Sequence, residues 1–138
     1  KAVALTVKER SDRVQHARHL RDKLIHAIRE NVKDVRFNGH PEDRLPNNCH
    51  MIVKYVEGES MLLKLDALGV EAATGSACSS GSLEPSHVLI ALGISREDVH
   101  GSLRMTVGRL TTEQDIDYVV DVFPKIVAEL RKMSPMTR

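Results

Sequence analysis

The feature that most restricts this chain is its first thirty positions. From Ala2 to about Asn31 apolar residues recur at Val3, Val7, Val14, Ala17, Leu20 or Leu24, and Ile28, among many Arg, Lys, Glu and Asp. That spacing predicts a long amphipathic helix. Such a helix has one stripe to bury and needs a second layer to bury it against. The pattern starts at Lys1 with no capping residue and no Met, as expected of a chain that begins inside something larger.

The remaining segments supply that layer. Val35 to Phe37 is a short candidate strand, and Asn38 to Asn48, with Gly39, Pro41 and Pro46, is a loop. Cys49 to Val56 alternates, with Met51, Val53 and Tyr55 on one face and His50, Ile52, Lys54 and Val56 on the other, as a strand does. Gly58 to Leu68 reads as a helix with Leu62, Leu65 and Leu68 inward and Gly69 as its stop. Val70 to Thr74 is a short strand. Pro85 is placed to open a helix to Leu92, Gly93 ends it, and Ser95 to Asp98 resembles a capping box on one more turn. In Ser102 to Val107 the apolar Leu103, Met105 and Val107 alternate with Arg104 and Thr106, so this strand buries one face and presents Arg104 on the other. A last helix from about Thr112 to Lys132 carries Ile116, Val119, Val120, Phe123, Val127 and Leu130 as its core stripe, with Pro124 kinking it or removing a hydrogen bond. The order predicts an α+β fold, a small antiparallel or mixed sheet of three to four strands covered by helices.

Composition limits function more than it names one. A net charge of +1 and only two Tyr, two Phe and no Trp in 138 residues leave neither a basic field for a phosphate backbone nor a stacking platform for bases. No nucleic acid is expected as a partner. No apolar run approaches the ~20 residues of a membrane helix, and no signal-peptide pattern opens the chain. The expected partner list therefore excludes a membrane, and the expected location is the cytoplasm.

Two cysteines, Cys49 and Cys78, fit neither a disulfide framework nor a zinc motif. Cys49 at a strand edge reads as a small buried hydrophobe. Cys78 differs, because Gly75-Ser76-Ala77-Cys78-Ser79-Ser80-Gly81-Ser82 is a run of eight small residues between a strand and a helix. A thiol there has room for a second molecule and hydroxyls and amides to stabilise a thiolate. Arg104 is the second candidate: a guanidinium on an open strand face can grip a carboxylate with two parallel hydrogen bonds, or can be a solvated surface charge. His100 and His87 read as a polar loop residue and a surface helix residue. Cys49, His50, Cys78 and His87 match no familiar metal-ligand spacing, and no metal is expected.

The segment from Gly75 to Leu89, with its core Ser76-Ala77-Cys78-Ser79-Ser80-Gly81-Ser82-Leu83-Glu84-Pro85-Ser86, resembles the catalytic cysteine segment of cysteine desulfurases of the NifS/IscS type. Further blocks keep the order of that family: Leu45-Pro46-Asn47, Tyr55-Val56-Glu57-Gly58-Glu59-Ser60, His100-Gly101-Ser102-Leu103-Arg104, Gly108-Arg109-Leu110-Thr111-Thr112-Glu113, Asp115-Ile116-Asp117-Tyr118 and Leu130-Arg131-Lys132-Met133-Ser134-Pro135. The resemblance covers nearly the whole chain. It implies a dimeric pyridoxal phosphate enzyme of fold type I, in which the cofactor serves as electron sink while a protein thiol takes sulfur from L-cysteine and leaves alanine. On that resemblance Cys78 is the persulfide-forming nucleophile and Arg104 holds the substrate carboxylate.

The resemblance also implies what the chain lacks. The family's cofactor lysine lies in a Ser-x-His-Lys segment of a large N-terminal domain, and no such segment occurs here. Residues 1–32 then correspond to the helix leading out of that large domain and 33–138 to the small C-terminal domain, with the cysteine loop at 75–83. No cofactor-binding residue is assigned in this chain, which by itself is expected to be inactive without a pyridoxal phosphate-binding domain or subunit. The expected partners are L-cysteine, that large domain, a second copy in the complete enzyme, and an acceptor such as an iron–sulfur scaffold. The other reading is a stand-alone, non-enzymatic persulfide carrier or interaction module. His50 stands where the family usually has Asn, and His87 where Tyr is frequent.

Overall fold

A computed structural model describes residues 1–74 and 85–134, and the predicted cysteine loop with Cys78 lies outside the described residues. The elements are α1 (Ala2–Asn31), β1 (Val35–Phe37), β2 (Asn48–Val53), α2 (Gly58–Asp66), α3 (His87–Ala91), α4 (Arg96–Val99), β3 (Ser102–Thr106) and α5 (Glu113–Met133). The three strands form one antiparallel sheet in the order β1-β2-β3. Its register pairs Arg36 with Ile52 and His50 with Arg104. The α+β expectation holds, with a fully antiparallel three-stranded sheet.

Alternation divides the sheet into two faces. Cys49, Met51 and Val53 of β2 and Leu103 and Met105 of β3 point inward, where Leu20, Leu24 and Ile28 of α1, Met61 and Leu65 of α2, and Ile116, Phe123 and Val127 of α5 close over them. Phe123 is fully buried, and replacing it with Ala is expected to cost about 3–5 kcal/mol, read from the denaturant midpoint. Among the described residues the outer face is covered at one end, where Ile52 packs with Leu89, Ile94 and Val99 from α3, its following turn and α4.

Several expectations need correction. Only the half of α1 from Ala17 onward meets the core, while Val3 and Val7 are 77% and 72% exposed, because among the described residues nothing packs on the helix's first turns. Periodicity reports an amphipathic stripe but not where its partner ends. In α2 the inward residues are Met61 and Leu65, whereas Leu68 falls beyond the last turn and is exposed. Val70 to Thr74 forms no strand and contributes a single bridge, Ala73 to Arg104. The β2 strand stops at Val53, before a turn in which Tyr55 adopts a left-handed φ of 66°. The α5 helix needs no such correction: it continues through Pro124, which lacks the N–H that its turn would otherwise use, the second of the two outcomes expected there.

Local chemistry sets the ends of the elements. Thr112 caps α5, accepting from the Asp115 amide while the Asp115 carboxylate accepts from the Thr112 amide at 2.8 Å. These bonds hold the exposed Asp115 carboxyl below its ordinary value, so the cap contributes fully above the usual carboxylate range and is lost as pH falls through the lowered one. Gly101 and Gly58 allow close backbone approach: a Cβ on Gly101 would strike the Val53 carbonyl, and one on Gly58 the Ser102 carbonyl. Gly101→Ala is therefore expected to destabilise the fold by about 2–3 kcal/mol, measured by thermal unfolding, since backbone rather than a flexible side chain must move. Among the described residues no helix is long and apolar enough to cross a membrane.

Candidate functional site

The other end of the outer face carries Asn48 and His50 of β2, both half-buried, and Arg104 and Thr106 of β3, both exposed. Arg104 is exposed there, as the alternation of Ser102 to Val107 predicted, while its neighbours Leu103 and Met105 are buried. Its backbone is fully engaged away from β2: the Arg104 amide donates to the Ala73 carbonyl at 2.6 Å, and the Ala73 amide donates to the Arg104 carbonyl at 3.0 Å. Consequently His50 and Arg104 form a non-hydrogen-bonded antiparallel pair, the kind in which facing side chains lie closer together. Among the described residues Arg104 has no ion-pair partner.

His50 is held from the other side. Asn38, which is buried, places its amide nitrogen 2.7 Å from His50 Nδ1. An amide nitrogen donates, so Nδ1 accepts and the ring carries its proton on Nε2. Burial, then the charges of Arg104 and Arg44, lower the pKa of His50 from the ordinary imidazole value. The loop before β2 is fixed by two arginines. The buried Arg21 donates to the Leu45 carbonyl at 3.0 Å and Arg44 to the Asn48 carbonyl at 2.8 Å. The block Leu45-Pro46-Asn47 is thus a structural clasp between α1 and the sheet, completed by the Val107 amide on the Asn47 carbonyl.

The other sequence candidates separate from this face. Cys49 lies on the inward side of β2, 1% exposed, with its thiol pushed up to about 12 by burial. Adjacent positions on a strand face opposite ways, so Cys49 and His50 cannot share a ligand. Among the described residues no group of three His, Cys, Asp or Glu is arranged to hold a metal. His87 is exposed at the start of α3. His100 ends α4 and lines a separate cavity of about 630 Å³ with Glu57, Arg96, Leu130 and Met133, so it is not brought to Arg104. The Asn38 contact was missed because Asn38 sits in a stretch rich in turn residues. The alternation of Cys49 to Val56 puts His50 on the face opposite Met51 and Val53, and which face is outward, with the antiparallel register, was the missing information.

Pyridoxal phosphate can be tested against these residues. A lysine that forms a Schiff base must be neutral, in a dry pocket or beside another cation. Here Lys23 pairs with Glu113 and Asp117, Lys54 with Asp98, Lys64 with Glu129 and Lys125 with Asp121, all on the surface. The first of these has a raised pKa, the opposite of what is required, from its bonds to Asp117 and Glu113. The described residues do not fit the cofactor.

Comparison with known proteins agrees with the architecture. The family model "Aminotransferase class-V" matches residues 3–119. "Cysteine desulfurase IscS 1" of Archaeoglobus fulgidus is 46% identical over all of this chain, which covers 36% of that protein. "Cysteine desulfurase IscS" of Methanosarcina thermophila is 48% identical over 99% of this chain and 34% of its own length. The chain spans about a third of the length of these curated relatives. A NifS-like protein from Rickettsia africae superimposes with a TM-score of 0.78 over 91% of this chain and 32% of that one, at 21% identity, a likeness of fold. With its family match over most of its length and its antiparallel α+β layer, the chain belongs to the class-V aminotransferase family, and the relatives to which it is similar along its full length are named cysteine desulfurase IscS.

Proposed function

We propose that this chain is the small domain of a cysteine desulfurase, in which Cys78 receives the sulfur of L-cysteine and Arg104 holds the substrate carboxylate. The observation that carries the reading is the pairing of Ala73 with Arg104. The backbone of Arg104, whose exposed side chain has no ion-pair partner among the described residues, is bonded to Ala73, from which the chain leads, five positions later, to Cys78, a covalent reach of at most about 17 Å. A carboxylate gripped at Arg104 would have its own sulfur within range of that thiol.

The proposed transfer is a displacement at sulfur. The Cys78 thiolate attacks the substrate's Sγ, a sulfur–sulfur bond forms, the substrate's carbon–sulfur bond breaks, and its electron pair stays with carbon. That carbon then takes a proton and leaves as alanine. An electron sink for the pair would be the contribution of pyridoxal phosphate, held by a part other than the residues described. Residues 1–32 then serve as the helix leading from that part, and 33–138 as the sulfur-handling unit.

Alanine release and a one-sulfur mass increment on Cys78 are expected when the chain is combined with a cofactor-binding large domain, and neither for the chain alone. Desulfuration by the chain alone, or its failure in every pairing, would sink the proposal. A persulfide accepted at Cys78 from a donor without alanine release would instead favour the non-enzymatic carrier. The two thiols separate chemically as well. At pH 8 the buried Cys49 should alkylate roughly 10³-fold more slowly than an ordinary cysteine and become reactive only on unfolding, as peptide mass mapping would show.

A further inference from the structure

We propose that His50 is a positioning residue for Arg104: a ring, clamped by Asn38, that stands across the strand pair and keeps the guanidinium aimed off the sheet, unpaired with any anion of the described residues. The inference rests on the reading of Arg104 as the carboxylate clamp. It concerns a residue to which the desulfurase chemistry itself gives no task.

Three observations support it. The register places His50 directly opposite Arg104 in a non-hydrogen-bonded pair on the outer face. The ring is fixed rather than free, because Asn38, 5% exposed, donates to Nδ1 at 2.7 Å from the neighbouring loop. An arginine destined for an exogenous carboxylate also has to be unpaired beforehand, and among the described residues it is. The long Arg side chain could fold toward β2, and the half-buried imidazole occupies that side. An acidic residue at position 50 would capture the guanidinium as a cross-strand ion pair and compete with substrate. A protonated His50 would face Arg104 and Arg44 and would turn an N–H toward the Asn38 amide nitrogen. Geometry and charge therefore agree: the two arginines and the lowered pKa favour the neutral ring, and the Asn38 contact puts its proton on Nε2.

Two measurements test the assignment. In the ¹⁵N-labelled chain, histidine ring spectra should show His50 with an unprotonated Nδ1 and titrating below the ordinary imidazole value. An Nδ1–H tautomer or an ordinary titration would overturn it. In the enzyme assembled with its cofactor-binding part, His50→Asp should raise KM for L-cysteine about fivefold with kcat little changed, the signature of lost uniform binding. His50→Asn, which keeps a partner for Asn38, should have a smaller effect. An unchanged KM in His50→Asp, in a preparation where Arg104→Ala does raise KM, would overturn the role of His50 alone. If Arg104→Ala leaves KM unchanged, the clamp reading fails and this inference with it, while the tautomer result remains a fact about the sheet.

Discussion

Replacing Cys78 with Ser in the assembled enzyme is expected to lower alanine release by at least about 10³-fold and to abolish the protein persulfide. The argument is one of chemistry at a fixed position. Attack on a substrate sulfur needs a soft, ionisable nucleophile, and a serine hydroxyl is neither ionised at neutral pH nor a good partner for divalent sulfur. The second cysteine cannot substitute. Cys49 faces the core from β2, 1% exposed, with its thiol at about 12, and the backbone of the sheet stands between it and the face that bears Arg104. Substrate binding should survive the change, because the carboxylate clamp is untouched. Cys78→Ser should therefore depress kcat with little effect on KM, and an equal loss in Cys49→Ser would show that the wrong thiol had been chosen.

The sequence carried the strand faces well and the tertiary boundaries badly, and the difference has a physical cause. Alternation from Ser102 to Val107 is a local property of a pleated backbone, so the exposure of Arg104 and the burial of Leu103 and Met105 could be read directly. The same holds for Gly93, left-handed at φ 73°, which ends α3's turn, and for the start of the last helix near Thr112, although the capping box that fixes it there was not read from the sequence. Where α1 leaves the core depends on what lies beside it, which no periodicity encodes. Val3 and Val7 thus carry the pattern of core residues and remain exposed. The Ala73 to Arg104 bridge and the Asn38 to His50 bond join residues 31 and 12 positions apart, and both depend on register rather than composition. Several blocks that carried the family resemblance also proved to be architectural. Leu45-Pro46-Asn47 is clasped by Arg21 and Val107, and Arg131 donates to the Lys33 and Lys54 carbonyls, tying the end of α5 to the turns flanking β1 and β2.

Arg104 is the residue at which local pattern, register and proposed chemistry meet, and its substitutions should divide by geometry rather than by charge. Arg104→Ala in the assembled enzyme is expected to raise KM for L-cysteine on the order of 10²-fold, the scale of losing hydrogen bonds to a charged group. Arg104→Lys keeps the charge but loses the planar fork, and should recover only part of that, leaving KM about tenfold high. Stability should barely change in either, since the side chain is exposed and the bonds to Ala73 are made by the backbone, which both variants retain. That combination separates a clamp from a structural arginine. Arg131, whose guanidinium bonds two carbonyls of the fold, should show the reverse when replaced by Met, a lower unfolding midpoint with unchanged KM. A cysteine analogue lacking its carboxylate supplies the last discrimination: it should bind equally poorly to the parent enzyme and to Arg104→Ala, because the group that Arg104 distinguishes is then missing from the ligand instead of the protein.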